Sequence, residues 1–200
     1  MDVEKITQRA KDNMASRRSR ATREPGAIFD HGRRTAQIAM KLQDRLDATV
    51  DRDILFTGAL LHDIGKGREP HNEIGANIVA ELFEDLCEPD ELESVCEIIR
   101  DHNQRLRSGE CSMAARIVQD ADILDKVGPI SPWLAFYWSA TRDRTIDDTL
   151  AYLHSDENER YHTRMRNLLN FDVSTGIFDQ RARFENEFFA EFERVQREGL

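Results

Sequence analysis

Along most of this chain apolar residues return every three to four positions, the spacing that gathers them on one face of an α-helix. From Asp30 onward, after the Glu24-Pro25-Gly26 turn, His31, Thr35, Ile38, Leu42 and Leu46, with Ala39, form one such stripe. His31 therefore falls in a first turn and faces inward. Asp51 or Asp53 can cap the next helix, Ile54 to about Asp63, where Leu55, Gly58, Ala59, Leu61 and His62 leave little polar surface. This segment is expected to be the central buried helix. Three more helices follow by the same rule: His71 to Leu86 (Ile74, Ile78 or Val79, Leu82, Leu86), Glu91 to about Asn103 (Leu92, Val95, Ile99, His102), and Ser112 to about Asp125 (Ala114, Ile117, Val118, Ala121, Leu124).

The flanks read differently. Residues 2 to about 21 are helix-permissive and very polar. Gly128-Pro129-Ile130-Ser131-Pro132 breaks the chain, Trp133 to Ala140 is an aromatic-rich helix, and Asp147 to about His154 a short one. From roughly Phe178 to Gln196, Phe184, Phe188, Phe192 and Val195 mark an amphipathic helix expected to pack back on the body. No strand, repeat or low-complexity tract interrupts this pattern, so the fold class is all-α. We expect a polar basic N-terminal helix over 1–25 and a single domain over 26–200.

Composition narrows the options. With 40% hydrophobic and 33% charged residues, the chain has the balance of a soluble globular protein. No apolar run approaches the roughly 18 residues of a membrane helix, and Met1 to Ala10 is too polar for a signal peptide, which points to the cytoplasm and away from a membrane partner. Cys87, Cys96 and Cys111 form no CxxC pair and are expected to be buried reduced thiols. A net charge of −10 opposes nonspecific nucleic-acid binding. Residues 1–34 nevertheless carry a local +4, and Arg17, Arg18, Arg20, Arg23, Arg33 and Arg34 are read there as a solvated face.

The chemistry gathers at Leu60-Leu61-His62-Asp63-Ile64-Gly65-Lys66. A histidine and an aspartate at a buried helix end would leave an expensive charge unless something positive compensates, and a metal ion does so. Imidazole and carboxylate together suit Mn, Fe, Co, Ni or Zn, and a carboxylate can bridge two ions. His31, His71, His102 and Asp122 lie near apolar stripes on four other helices and could converge there, whereas His154 and His162, in a polar stretch, read as surface residues.

The order His31, His62-Asp63, Asp122 resembles the signature of the HD-domain superfamily of metal-dependent phosphohydrolases, over residues 28–127. His62-Asp63-Ile64-Gly65-Lys66 is similar to the HDIGK form of that signature, and Asp120 to Asp125 to the segment supplying its last ligand. His71-Asn72-Glu73-Ile74-Gly75-Ala76 and Ile98-Ile99-Arg100-Asp101-His102 resemble the HxxxGA and IxxH elements of binuclear members. The resemblance implies a helical fold in which His31, His62, Asp63 and Asp122 hold one ion and Asp63 bridges to a second held by His71 and His102. It implies one or two divalent cations (Mn, Fe, Co, Ni, Zn or Mg) and a small phosphorylated substrate such as a nucleotide, attacked by a metal-bridging hydroxide. The GYP tripeptide of the HD-GYP phosphodiesterases is absent, and Asn103 replaces the threonine that follows the second histidine in dinucleoside tetraphosphate hydrolases.

Lys66, one turn beyond Asp63, can meet a phosphate oxygen as a catalytic and substrate-binding cation or can serve the helix dipole. Arg34 and Arg105 are further substrate-binding candidates, and Asp125 either orients an imidazole or caps. Trp133, Phe136, Tyr137 and Trp138 belong to the core or line a base-binding wall. HD-fold mixed-valent diiron oxygenases share the ligand pattern, and a non-catalytic nucleotide-binding module is a third reading; Lys66 and the complete ligand set favour the hydrolase. Whether the chain forms an oligomer through its phenylalanine-rich last helix is open.

Overall fold

A computed structural model describes residues 1–18 and 24–199, so Arg20 and Arg23 of the basic segment lie outside the described residues. The order is α1 (Val3–Met14), α2 (Ala27–Leu46), α3 (Arg52–Leu61), α4 (His71–Phe83), α5 (Pro89–Asp101), a 3-10 helix (Arg105–Glu110), α6 (Met113–Asp125), α7 (Ser131–Ala140), α8 (Ile146–Leu153), α9 (Asp156–Asn167) and α10 (Asp172–Glu198). No strand occurs among the described residues, and the all-α class holds.

α3 is the axis of the molecule and packs against α1, α2, α5 and α6. Asp51 starts it by accepting the backbone N–H groups of Asp53 (2.9 Å) and Ile54 (3.0 Å), which answers two of the donors a helix start leaves free. Leu55, Ala59, Leu60 and Leu61 are buried along it. α2 crosses α3 at Gly32, where a Cβ would stand 2.1 Å from the Leu60 carbonyl oxygen, so nothing larger fits. That close crossing brings the first turn of α2, with His31, beside the last turn of α3.

Helix ends differ from the periodicity in instructive ways. α3 stops at Leu61, so His62 is its C-cap and Asp63 enters a tight turn in which the Lys66 N–H donates to the Asp63 carbonyl at 2.9 Å. α5 begins at Pro89 under a capping box of Glu88 and Glu91, two residues before the apolar pattern starts. α9 was not anticipated, because it carries no apolar stripe; Ser155 caps it and its acidic first turn suits the helix dipole.

The buried face of α10 is formed by Ser174, Phe178, Glu185 and Phe189, whereas Phe184, Phe188 and Val195 are exposed. Phe136 of α7 packs its ring 5.9 Å from Phe189 and 4.9 Å from Phe192, and also 6.3 Å from the exposed Phe188. Asp120 of α6, fully buried, accepts the Asn170 N–H and side-chain amide (2.8 Å each) and the Phe171 N–H (3.3 Å), which fastens the start of α10 to the body. Of the cysteines, Cys96 is buried, but Cys87 and Cys111 are only half-buried because both sit in connections between helices. Among the described residues no helix is long and apolar enough to cross a membrane.

Candidate metal centre and substrate cavity

Asp63 stands between two pairs of imidazoles. Its Oδ2 faces Nε2 of His31 (3.7 Å) and His62 (3.8 Å), and its Oδ1 faces Nε2 of His71 (3.7 Å) and His102 (3.6 Å). Neighbouring rings meet edge to face, with centroids 5.0 to 5.1 Å apart.

Each of these rings is oriented from behind. His62 Nδ1 donates to the Ala59 carbonyl (2.8 Å) and His102 Nδ1 to the Ile99 carbonyl (2.7 Å), the outcome of placing each histidine at its helix C-cap. His31 Nδ1 meets Asp125 Oδ2 at 2.7 Å, and His71 Nδ1 meets Glu69 Oε2 at 3.1 Å. A carbonyl oxygen can only accept, so in His62 and His102 the proton resides on Nδ1 and the Nε2 lone pair turns inward. Asp125 thus orients the His31 imidazole, and it also receives a two-pronged contact from Arg34, at 2.8 and 2.9 Å.

Asp122 of α6 completes the first group. Its Oδ1 lies 2.9 Å from His31 Nε2 and 3.6 Å from His62 Nε2, while Lys126 Nζ touches the same oxygen at 2.7 Å and Arg105 pairs with the other. Lys66 Nζ sits 3.2 Å from Asp63 Oδ1 and is half-exposed. Arg34, Lys66 and Arg105 therefore all reach the cluster, each already on a carboxylate. Lys126 was not foreseen; its position four residues past Asp122, one turn along the same face, was the available signal.

These residues fit a cation site by their own chemistry. Nε2 of His31 and of His62 is buried without a properly aligned hydrogen-bond partner, a costly state for an imidazole nitrogen unless it binds a cation. His31, His62 and Asp63 form one group whose donor atoms all lie within 4.8 Å of one another, and Asp63, His71 and His102 form a second. Burial alone would raise the Asp63 and Asp122 carboxyls; the imidazoles around Asp63, and Lys126 and the imidazoles around Asp122, outweigh it and hold both well below the usual carboxylate range. Burial would likewise lower the His31 imidazole, but Asp122 and Asp125 raise it to about 9. The cluster draws positive charge of every available kind.

The turn carrying Asp63 is locked. A Cβ on Gly65 would fall 2.0 Å from the His71 carbonyl oxygen, so α4 rests directly on this backbone. From the other side the Arg17 guanidinium donates to the Ile64 carbonyl and, at 2.8 Å, to the Lys66 carbonyl.

His31, Asp63 and Lys66 open onto a cavity of about 540 Å³ that continues between α7, α8, α9 and α10. Trp138, Tyr152 and Tyr161 form much of its far wall, with Ser139 and Glu185 beside them. His162, read from sequence as a surface residue, lines this cavity too, because α9 turns it toward Glu185. His154 remains at the surface beside Glu193. Trp133 and Trp138 line the cavity as well, Trp133 being half-exposed, so they are not core residues.

The HD domain family model matches residues 28–127, which spans α2 to α6 and every side chain of the cluster. The chain belongs to the HD-domain family. Solved structures resembling this HD protein extend the likeness beyond the matched half. An HD-superfamily hydrolase from Bacillus thuringiensis superposes with a TM-score of 0.70 at 22% identity, over 98% of this chain and 97% of that one. YpgQ from Bacillus subtilis, solved in complex with ADP, gives 0.65 at 18% identity, over 96% and 97%. The Lin1889 protein from Listeria innocua gives 0.67 at 20% identity, over 99% of both chains. Identities this low establish a shared fold, including α7 to α10, and not a shared substrate. No curated protein matches the sequence.

Proposed function

We propose that this HD protein is a metal-dependent phosphohydrolase that cleaves a phosphoester or phosphoanhydride bond of a nucleotide. The observation that carries the reading is the position of Asp63, with His31 and His62 about one oxygen and His71 and His102 about the other at 3.6 to 3.8 Å. A carboxylate set between two imidazole pairs is the donor set of a two-ion centre. His31, His62, Asp63 and Asp122 would hold one ion, and Asp63, His71 and His102 the other. Bound divalent ions supply Lewis acidity and a lowered water pKa, the two needs of phosphoryl transfer to water.

The chain's own groups do the remainder. Lys66, half-exposed at the mouth of the cluster, can leave Asp63 for a phosphate oxygen and offset the charge that grows there. Arg34, Arg105 and Lys126 bring three more cations, each anchored on Asp122 or Asp125 and so aimed before substrate arrives. These basic side chains at the mouth of the cluster suit an anionic, phosphorylated substrate. The adjoining cavity is large enough for a nucleoside, and YpgQ was solved with a nucleotide.

The test is metal analysis of the purified protein, followed by assays with added Mn on nucleotides, dinucleoside polyphosphates and a generic phosphodiester. The expected result is bound divalent metal and phosphate release that a chelator abolishes. Turnover of none of these, with a mixed-valent iron resonance and oxygen consumption, would identify the oxygenase. Nucleotide binding without turnover by metal-free protein would identify a regulatory module.

A further inference from the structure

The far arm of the cavity lies outside the matched segment, is built by α7, α8, α9 and α10, and contains a buried carboxylate that phosphoryl chemistry does not use. Glu185 is 4% exposed. Its Oε2 accepts the Gly128 N–H at 3.2 Å, and its Oε1 has His162 Nε2 at 3.5 Å. A carboxylate has about four lone-pair sites, so part of this one's capacity is free for a ligand that enters the cavity. Ser139, 5% exposed and lining the same arm, has a hydroxyl with no hydrogen-bond partner. Trp138, Tyr152 and Tyr161 line the same cavity.

Such a place suits a flat, neutral ring that carries hydrogen-bond donors. Resting on the nucleotide reading above, we propose that this arm is a guanine-selective base subsite, with Glu185 as the group that chooses the base. Guanine presents its N1–H and 2-amino group side by side, two donors for one carboxylate. Adenine and cytosine place a ring acceptor next to their amino group, so a lone pair would face Glu185. Uracil flanks its single N–H with two carbonyls, and hypoxanthine keeps N1–H but lacks the amino group. The Ser139 hydroxyl supplies the donor that the guanine carbonyl needs. Selectivity of this kind comes from the cost of leaving the carboxylate unpaired when the wrong base enters.

The two tryptophans of the chain, Trp133 and Trp138, both line the cavity and report its occupancy by fluorescence. Protein without added metal is titrated with guanosine, inosine and uridine. Guanosine is expected to bind about tenfold or more tightly than either of the others, as one hydrogen bond to a charged group implies. Glu185→Gln, its fold verified by circular dichroism, is expected to abolish the advantage over inosine. Equal binding of the three nucleosides, absence of saturable quenching by guanosine, or a preference that survives Glu185→Gln would each overturn the proposal. If Glu185→Gln does not fold, the comparison of guanosine with inosine in the unaltered protein decides. These ligands carry no phosphate, so failure here leaves the hydrolase standing, and failure of the hydrolase assays leaves base recognition to be judged alone.

Discussion

At one end of the cavity each imidazole of the cluster has its Nδ1 held by a carbonyl or a carboxylate; at the other, the Ser139 hydroxyl has no partner and Glu185 only one close donor. The first end rests on helices jammed together, with backbone touching backbone at Gly32 and Gly65. The second is walled by helices that lean on one another, α8 on α7 and α9, and α7 on α10. The contrast teaches a division of labour. Groups that must hold cations in fixed geometry belong where nothing can move, and groups that read a ligand can remain unfilled until it arrives.

Substitutions sharpen this comparison, beginning with the largest effect. Asp63→Asn removes the charge shared by both imidazole pairs; metal content should fall to background and turnover by about a thousandfold or more, as loss of several kcal/mol of ion-derived stabilisation requires. Elemental analysis and a rate assay decide it, and retention of both ions would dissolve the distinction drawn here. Next, Gly65→Ala drives a methyl into the His71 carbonyl and should cost about 3 kcal/mol in urea melts, whereas Gly176→Ala in α10, where a Cβ meets nothing within 4 Å, should gain about 0.5 to 1 kcal/mol. Equal responses at the two glycines would mean that the ends do not differ in packing. Smaller still, Asp125→Asn weakens the support of His31 and should lower metal affinity about 10- to 100-fold while the fold survives, as a chelator competition would report.

How far this was legible in the sequence depended on whether a residue's role was local. The stripe on α2, the apolar run of α3 and the adjacency of His62 and Asp63 are short-range facts, and the side chains that depend on them come together as periodicity suggested. Arg105 was harder, because its pairing with Asp122 joins α6 to a 3-10 segment that has no periodic signature, whereas Lys126 was signalled by its place one turn past Asp122 and was overlooked. In α10 two apolar frames compete. Phe184, Phe188 and Val195 make the better-looking stripe, yet the buried face runs through Ser174, Phe178, Glu185 and Phe189, and a glutamate on a buried face is the residue that pattern reading discards. His162 was misplaced for a related reason. Its neighbours in α9 are polar, and only the tertiary position of that helix turns it inward.

The Asp120 clamp bears on how such proteins can be rebuilt. Asp120 and Asp122 sit two positions apart on α6, one gripping the Asn170-Phe171 backbone and the other facing His31 and His62. A chimaera that imports the last four helices from another member must therefore bring a segment able to present two amide donors to that carboxylate. Without them, the unclamped carboxyl would lie two positions from the aspartate proposed to hold an ion, and a swap intended only to alter substrate choice is expected to disturb the proposed metal site as well.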